Sequence, residues 1–199
     1  MSTKKWLVCG VLAAAIAASV TAPLGATTLI RQGLDKLVAD NATIVVGQVV
    51  DYYSYWNDDH TFILTDVRFA AEEVLKGRLT GDELTITVMG GNVGDLTTLI
   101  VAGPVLEKGQ SYLLFLNNES LPGVDSALTV RDLVQGTFDI VVAKDGLRAV
   151  SQANGHPLLS DFDGNSLPPG EEQGVLLNEM TSLIRDLVRH SQGGRPEVK

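Results

Sequence analysis

Short apolar runs recur at regular intervals through the centre of the chain, with too little sequence between them for helices. The runs are rich in Val, Ile, Thr and aromatic residues, and several alternate apolar with polar positions, which is typical of half-buried β-strands. Turn-forming residues separate them, for example Asn57 to His60 and Lys144 to Gly146. A parallel α/β fold needs helices between its strands, so this pattern predicts a small β-barrel instead.

The predicted strands cover 42–56, 61–75, 83–89, 96–103, 111–117, 127–130 and 136–142. Within 61–75, alternate residues from Ile63 to Ala71 share one face. The run SYLLFLN (111–117) is apolar at nearly every position, which indicates a strand buried on both faces. LTTLIVAG (96–103) is a fourth apolar run of the β type, and Pro104 ends it.

Two helices flank the predicted strands. Leu34, Leu37 and Val38 form the apolar stripe of a short N-terminal helix. Residues 171–190 predict an amphipathic C-terminal helix, preceded by a polar loop at 152–170 and followed by a disordered tail at 191–199. We expect one apolar side of this helix to carry Val175, Leu176, Met180, Leu183, Ile184 and Leu187.

The first 26 residues resemble an export signal. Lys4 and Lys5 precede an apolar run from Trp6 to Val20, and small residues follow. That run is short for a membrane span, so we expect cleavage after Ala26, no stable membrane anchor, and a periplasmic or extracellular protein; an uncleaved anchor is the alternative. The single cysteine, Cys9, lies in this leader, so the mature chain has no disulfide.

Acidic residues dominate the mature chain. Once Lys4 and Lys5 are removed, 13 basic residues remain against 24 acidic ones, a net charge of −11. Nucleic-acid and anionic-membrane binding need clustered Lys and Arg, so neither class of partner is expected.

The order of the central segments resembles that of exported bacterial proteins of unknown role, whose core is similar to the netrin-like module of tissue inhibitors of metalloproteinases. The resemblance covers about 35–142 and rests on IVVGQVVD, YLLFLN, GTFDIV and above all on EEVLKG, from Glu72 to Gly77. It implies a mainly β fold. That fold is a small OB-like barrel, closed or partly open, over 27–151, with a short N-terminal helix and an amphipathic C-terminal helix.

The resemblance does not carry the inhibitory mechanism of those proteins. Tissue inhibitors bind the protease zinc through a mature N-terminal cysteine, whereas the expected first residue here is Thr27. An inhibitory contact made by loops alone, toward a secreted protease, remains an expectation from the fold.

Few patterns in the chain indicate catalysis. There is no G-x-S-x-G motif, no HExxH motif and no cysteine in the mature chain, and neighbouring acids such as Glu72 and Glu73 point to opposite sides of a strand. We therefore expect a protein that is not an enzyme and has no cofactor.

Calcium is the one cation with a candidate loop. Residues 161–172 place Asp161, Asp163, Asn165 and Glu172 at spacings used by calcium-binding loops, although Ser166 replaces the usual glycine. The alternative is a polar linker. Calcium binding would suit a structural or adhesion component of the cell envelope.

Aromatic residues precede the first predicted hairpin turn. The candidate contact residues for a protein partner are Tyr52, Tyr53, Tyr55, Trp56, Asp58 and Asp59. Tyrosine and tryptophan are favoured interface residues, and the resembled module also uses this hairpin. The alternative is that these rings cap the end of the barrel.

The run VMGGNVGD (88–95) is rich in glycine, as phosphate-binding loops are. Such a loop leads into a helix, whereas here Asp95 and a further β-type run follow. We therefore interpret the glycines as a bend between strands.

Overall fold

The computed structural model describes residues 30–155 and 174–193. Over these ranges the protein is mainly antiparallel β-sheet with two helices, as the sequence predicts. The leader, the candidate calcium ligands and residues 194–199 lie outside the described ranges. The elements in chain order are α1 (Leu34–Asp40), β1 (Thr43–Trp56), β2 (Ile63–Lys76), β3 (Glu83–Met89), β4 (Gly91–Val93), β5 (Leu96–Thr98), β6 (Ser111–Leu121), β7 (Val124–Val130), a 3-10 turn (Leu133–Gly136), β8 (Thr137–Ala143), β9 (Gly146–Ser151), a second 3-10 turn (Gln152–Gly155), β10 (Val175–Leu176) and α2 (Leu177–Gly193).

Eight strands form one sheet in the order β10-β9-β8-β6-β1-β2-β3, with β7 paired to β6. β4 and β5 form a separate ribbon of two strands. β3 lies beside β7, but no ladder of hydrogen bonds joins these two strands in the described chain, so the sheet is not closed by strand pairing.

Two apolar cores lie on opposite faces of the sheet. One, which includes Leu37 and Ile184, packs α1 and α2 against the sheet. The other, which includes Val67 and Phe69, fills the concave side. β6 contributes alternate residues to the two cores and is buried on both faces from Tyr112 to Leu116, which confirms the prediction for SYLLFLN.

The EEVLKG segment joins β2 to the first helix. Lys76 Nζ donates to the carbonyl oxygens of Val38 (2.6 Å) and Ala39 (3.2 Å), which lie in the last turn of α1. A cation at this end of a helix satisfies carbonyls that have no partner within the helix. Gly77 follows at φ +90, where a side chain would meet the Ala42 carbonyl. The motif is therefore a helix-to-sheet junction.

Three details differ from the sequence prediction. The run 96–103 is a strand only at Leu96–Thr98. Val175 and Leu176 pair with β9, so the C-terminal helix begins at Leu177 rather than at 171, and it continues to Gly193. On this helix Leu183 is half exposed, whereas Val188 is buried beside Met180 and Ile184.

Candidate functional site

The tyrosines of β1 divide between the two faces of the sheet because successive side chains of a strand point in opposite directions. Tyr53 is 71% exposed and its ring stacks on that of Tyr55, with centroids 6.1 Å apart and planes 9° from parallel. Tyr52, on the opposite face, is 53% exposed and lines an open groove. The exposed rings of Tyr52 and Tyr53 therefore lie on different surfaces of the protein.

Tyr55 is fixed in place by the strands beside it. Its hydroxyl donates to Asp66 Oδ1 at 3.1 Å, and the Thr87 hydroxyl donates to the same oxygen at 2.7 Å. Burial, and then the negative charge of Asp66, raises the pKa of Tyr55. The hydroxyl of Tyr55 is therefore protonated at neutral pH. Its hydrogen bond to Asp66 holds in place the ring on which Tyr53 stacks. Trp56 is half buried at the end of the strand.

The hairpin turn after Trp56 is organised by Asn57, which is only 2% exposed. Its Oδ1 accepts hydrogen bonds from the backbone N–H groups of Thr61 (2.8 Å) and Phe62 (2.9 Å), a common way for Asn to shape a turn. Asp58 and Asp59 are exposed in this turn and form no ion pair within the described residues. They are available to a partner, but they are not held in a defined geometry.

The glycine run builds the β4–β5 ribbon and its approach to the main sheet. Gly91 has φ +132, and a Cβ there would lie 2.2 Å from Thr65 Oγ1 and 2.5 Å from Ser54 Oγ. The Thr65 hydroxyl donates to the Gly90 carbonyl at 2.7 Å, so the backbone at this point must come close to β2. Gly94 (φ +60) and Asp95 form the turn, and a strand follows it. These residues form a bend and a hairpin.

An apolar groove of about 340 Å³ lies where this ribbon meets the main sheet. Tyr52, Val67 and Val88 of the main sheet line it, together with Leu99, Ile100 and the residues from Gly103 to Leu106. Within the described chain, none of the residues that line it is charged. We call it the apolar groove. Clefts of this size with a mainly apolar lining are common ligand sites.

Large apolar side chains are exposed at the apolar groove and next to it in the sequence. Leu99 and Val105 line the groove, and Leu96 and Val101 adjoin residues that line it. We call these four residues the rim. The exposed fractions are 86% for Leu99, 89% for Val101 and 59% for each of Leu96 and Val105. The segment is nevertheless anchored, because the buried Ala102 accepts a hydrogen bond from the Val134 N–H at 3.0 Å and packs with Val134 and Ala153. The exposure therefore belongs to a fixed loop.

Sequence reasoning pointed to Tyr52 but missed Leu99 and Val101, which it assigned to an apolar run of the β type. The sequence did contain a signal in the turn-forming residues at both ends of the run. Gly94 and Asp95 precede the run, and Gly103 and Pro104 end it. Such flanks leave room for only a short strand. The structure does not bring Asp58 and Asp59 into the apolar groove.

Within 30–155 and 174–193, no group of three or more His, Cys, Asp or Glu side chains could hold a metal ion. No helix in the same ranges is long and apolar enough to cross a membrane. The predicted calcium ligands Asp161, Asp163, Asn165 and Glu172 lie outside these ranges, so calcium binding stays a prediction. No known protein family matches the chain, and no curated protein matches its sequence.

Proposed function

We propose that this chain is an exported, non-enzymatic binding protein with an OB-like, partly open barrel, and that it binds another protein through the apolar groove and its rim. The observation that carries the proposal is the exposure of Leu99 and Val101 beside an uncharged groove. Contiguous exposed apolar surface on a folded protein commonly marks a site of interaction.

The location of Tyr52 supports the same surface. Its ring lines the apolar groove while remaining half exposed, an arrangement that lets a rigid aromatic side chain contact a partner at little conformational cost. Tyr53 and Tyr55 lie on the other face of β1, where they extend the contact area only if the partner reaches around the strand. The hairpin therefore contributes to the binding surface mainly through Tyr52.

The chemistry of the groove favours recognition over catalysis. Its described lining contains no carboxylate, imidazole, amine or guanidinium, so it offers no acid–base pair for general catalysis. The leader supports an exported location, where the partner would be met. The resemblance to the metalloproteinase-inhibitor module makes a secreted protease one class of partner to test.

The test compares substitutions of equally exposed residues on two surfaces. Leu99→Ser with Val101→Ser removes two apolar side chains of the rim, and Val142→Ser is the control because Val142, on β8, is 87% exposed. Tagged mature protein is incubated with the periplasm or medium of the source cells, and the retained proteins are compared. We expect the wild type and the control to retain the same partner and the double variant to lose it. Equal retention by the double variant, or no retention by the wild type, would contradict the proposal.

A further inference from the structure

A second groove, of about 410 Å³, lies beside the apolar groove, and Val105 lines both. It is lined by Glu107, by Gln110 to Tyr112, and by Asp139 to Val141 of β8. We call it the acidic groove, because Glu107 and Asp139 are the only charged residues in its described lining. The segment around Val105 is therefore a ridge with an apolar groove on one side and an acidic groove on the other.

Within the part of the chain that the structure describes, the two carboxylates of the acidic groove have no ion-pair partner. The nearby Lys108 pairs with Asp51 instead, at 2.9 Å. The Tyr112 hydroxyl accepts a hydrogen bond from the Glu107 N–H at 2.8 Å. Burial raises the pKa of this hydroxyl, the hydrogen bond from the Glu107 N–H lowers it, and the negative charges of Asp139 and Glu107 raise it further.

The Gln152 side chain binds the backbone of the ridge at Val105. Gln152 accepts from the Val105 N–H at 2.9 Å and donates to the Val105 carbonyl at 2.7 Å, as a neighbouring strand would. The same Nε2 donates to Asp139 Oδ1 at 2.7 Å. Gln152 thus fixes the ridge and one carboxylate together, which lowers the ordering cost of binding.

We propose that the occupant of these adjoining grooves is an extended segment of a partner protein that carries a large apolar side chain next to a lysine or arginine. The segment crosses the ridge at Val105, with its apolar side chain in the apolar groove and its cation in the acidic groove. Charge complementarity carries the assignment, since unpaired carboxylates beside an uncharged groove favour a cationic neighbour over an anionic one. This inference rests on the proposed function and adds the chemistry of the partner.

A phage-displayed library of random peptides, selected on the immobilised mature protein, tests the inference. The peptides it enriches are then measured against Glu107→Gln with Asp139→Asn, which removes both charges while keeping similar shapes. Asp35→Asn with Asp125→Asn is the control, because it removes two charges from exposed positions outside both grooves.

We expect the enriched peptides to carry Lys or Arg beside a large apolar residue. We expect the groove variant to bind them about tenfold more weakly, the scale of one charge-assisted contact, and the control to bind them normally. Added salt should weaken binding to the wild type and the control more than binding to the groove variant.

The two proposals fail in different ways. Peptides without a cationic residue, or equal binding by the groove variant and the wild type, would overturn the inference while leaving a binding function. Absence of enrichment over the bare matrix, or binding unaffected by Leu99→Ser with Val101→Ser, would overturn the proposed function itself.

Discussion

Two apolar runs of similar length differ in burial: SYLLFLN in β6 is mostly buried, whereas LTTLIVAG at 96–103 is exposed at half of its positions. β6 is paired along one edge with β1 and along the other with β7 and β8, and its residues from Tyr112 to Leu116 are buried. The second run supplies three residues to a two-stranded ribbon and then exposes Leu99 and Val101. Apolar character alone did not decide burial; neighbours on both edges and both faces did.

The cause of the difference lies in the flanking residues. β6 pairs with β1, a strand of 14 residues, and the two apolar cores cover its two faces. The Gly94–Asp95 turn instead joins two strands of three residues, which pair only with each other. A two-stranded ribbon has no second layer of its own, so its apolar side chains remain in water unless a partner covers them.

The largest expected contrast is between core and rim. Phe115 is fully buried and packs on Phe138, with ring centroids 5.7 Å apart, so Phe115→Ala should lower the free energy of unfolding by about 3–5 kcal/mol. Leu99→Ala should change it by less than about 0.5 kcal/mol, as exposed positions do. Urea denaturation of both variants measures the difference. Comparable losses would show that Leu99 is part of the core.

The glycines that position the ribbon give the next largest effect. Gly91→Val adds a side chain where φ is +132 and where Thr65 and Ser54 already lie, so it should cost about 1–3 kcal/mol. Gly94→Asn is the control, because a Cβ at Gly94 meets nothing within 4 Å and Asn tolerates φ +60. Thermal unfolding compares the two variants. A neutral Gly91→Val would contradict the close approach of the ribbon to β2.

Removing the hydrogen bonds that the Gln152 side chain makes to the ridge should have a smaller effect on stability. Gln152→Ala removes both hydrogen bonds to the Val105 backbone and should cost about 1 kcal/mol. The Val105 amide should then exchange with solvent faster, as measured by hydrogen exchange. Gln48→Ala, which removes a single bond to the Gly109 carbonyl, should leave that exchange unchanged. Unaltered exchange in Gln152→Ala would mean that another contact holds the ridge.

The smallest effect concerns a single hydroxyl. Because the folded-state pKa of Tyr55 is raised above its ordinary value of 10.0, its stabilising contribution is complete below that pH and is lost as pH rises through the folded-state pKa. Asp66→Asn removes the charge but not the burial, so the pKa should fall part of the way toward its ordinary value. A pH titration of the Tyr55 ring resonances by NMR measures this, and an unchanged pKa would exclude Asp66 as a cause.

The sequence predicted the elements whose periodicity is local. The strands β1, β2, β3 and β6 and the two helices follow from alternation and from apolar stripes, and the mainly β fold is confirmed. The short strand at 96–98 could be predicted from the flanking turn residues, but the exposure of Leu99 and Val101 could not, because it depends on how a distant segment at Val134 holds the loop. The exposure of Leu183 also depends on distant segments, since the sheet meets the helix on the side that carries Ile184 and Val188.

The candidate site was less accessible to sequence reasoning than the fold. Tyr52 was selected for its residue type, but the apolar groove also needs the loop at 99–106, and the acidic groove needs Asp139 and Gln152 from a later part of the chain. These residues are far apart in the sequence and become neighbours only in the folded sheet. A rule based on the spacing of residues therefore cannot connect them. Export, partner binding and the absence of catalysis stay predictions.

Site-specific photo-crosslinking in the cells that produce the protein tests the central claim most directly. A photoreactive residue is placed at Leu99 in one variant and at Val142 in another, two positions of nearly equal exposure on different surfaces. We expect a discrete crosslinked adduct from position 99 and none from position 142. Adducts of equal yield from both positions, or none from position 99, would contradict a binding surface at the apolar groove.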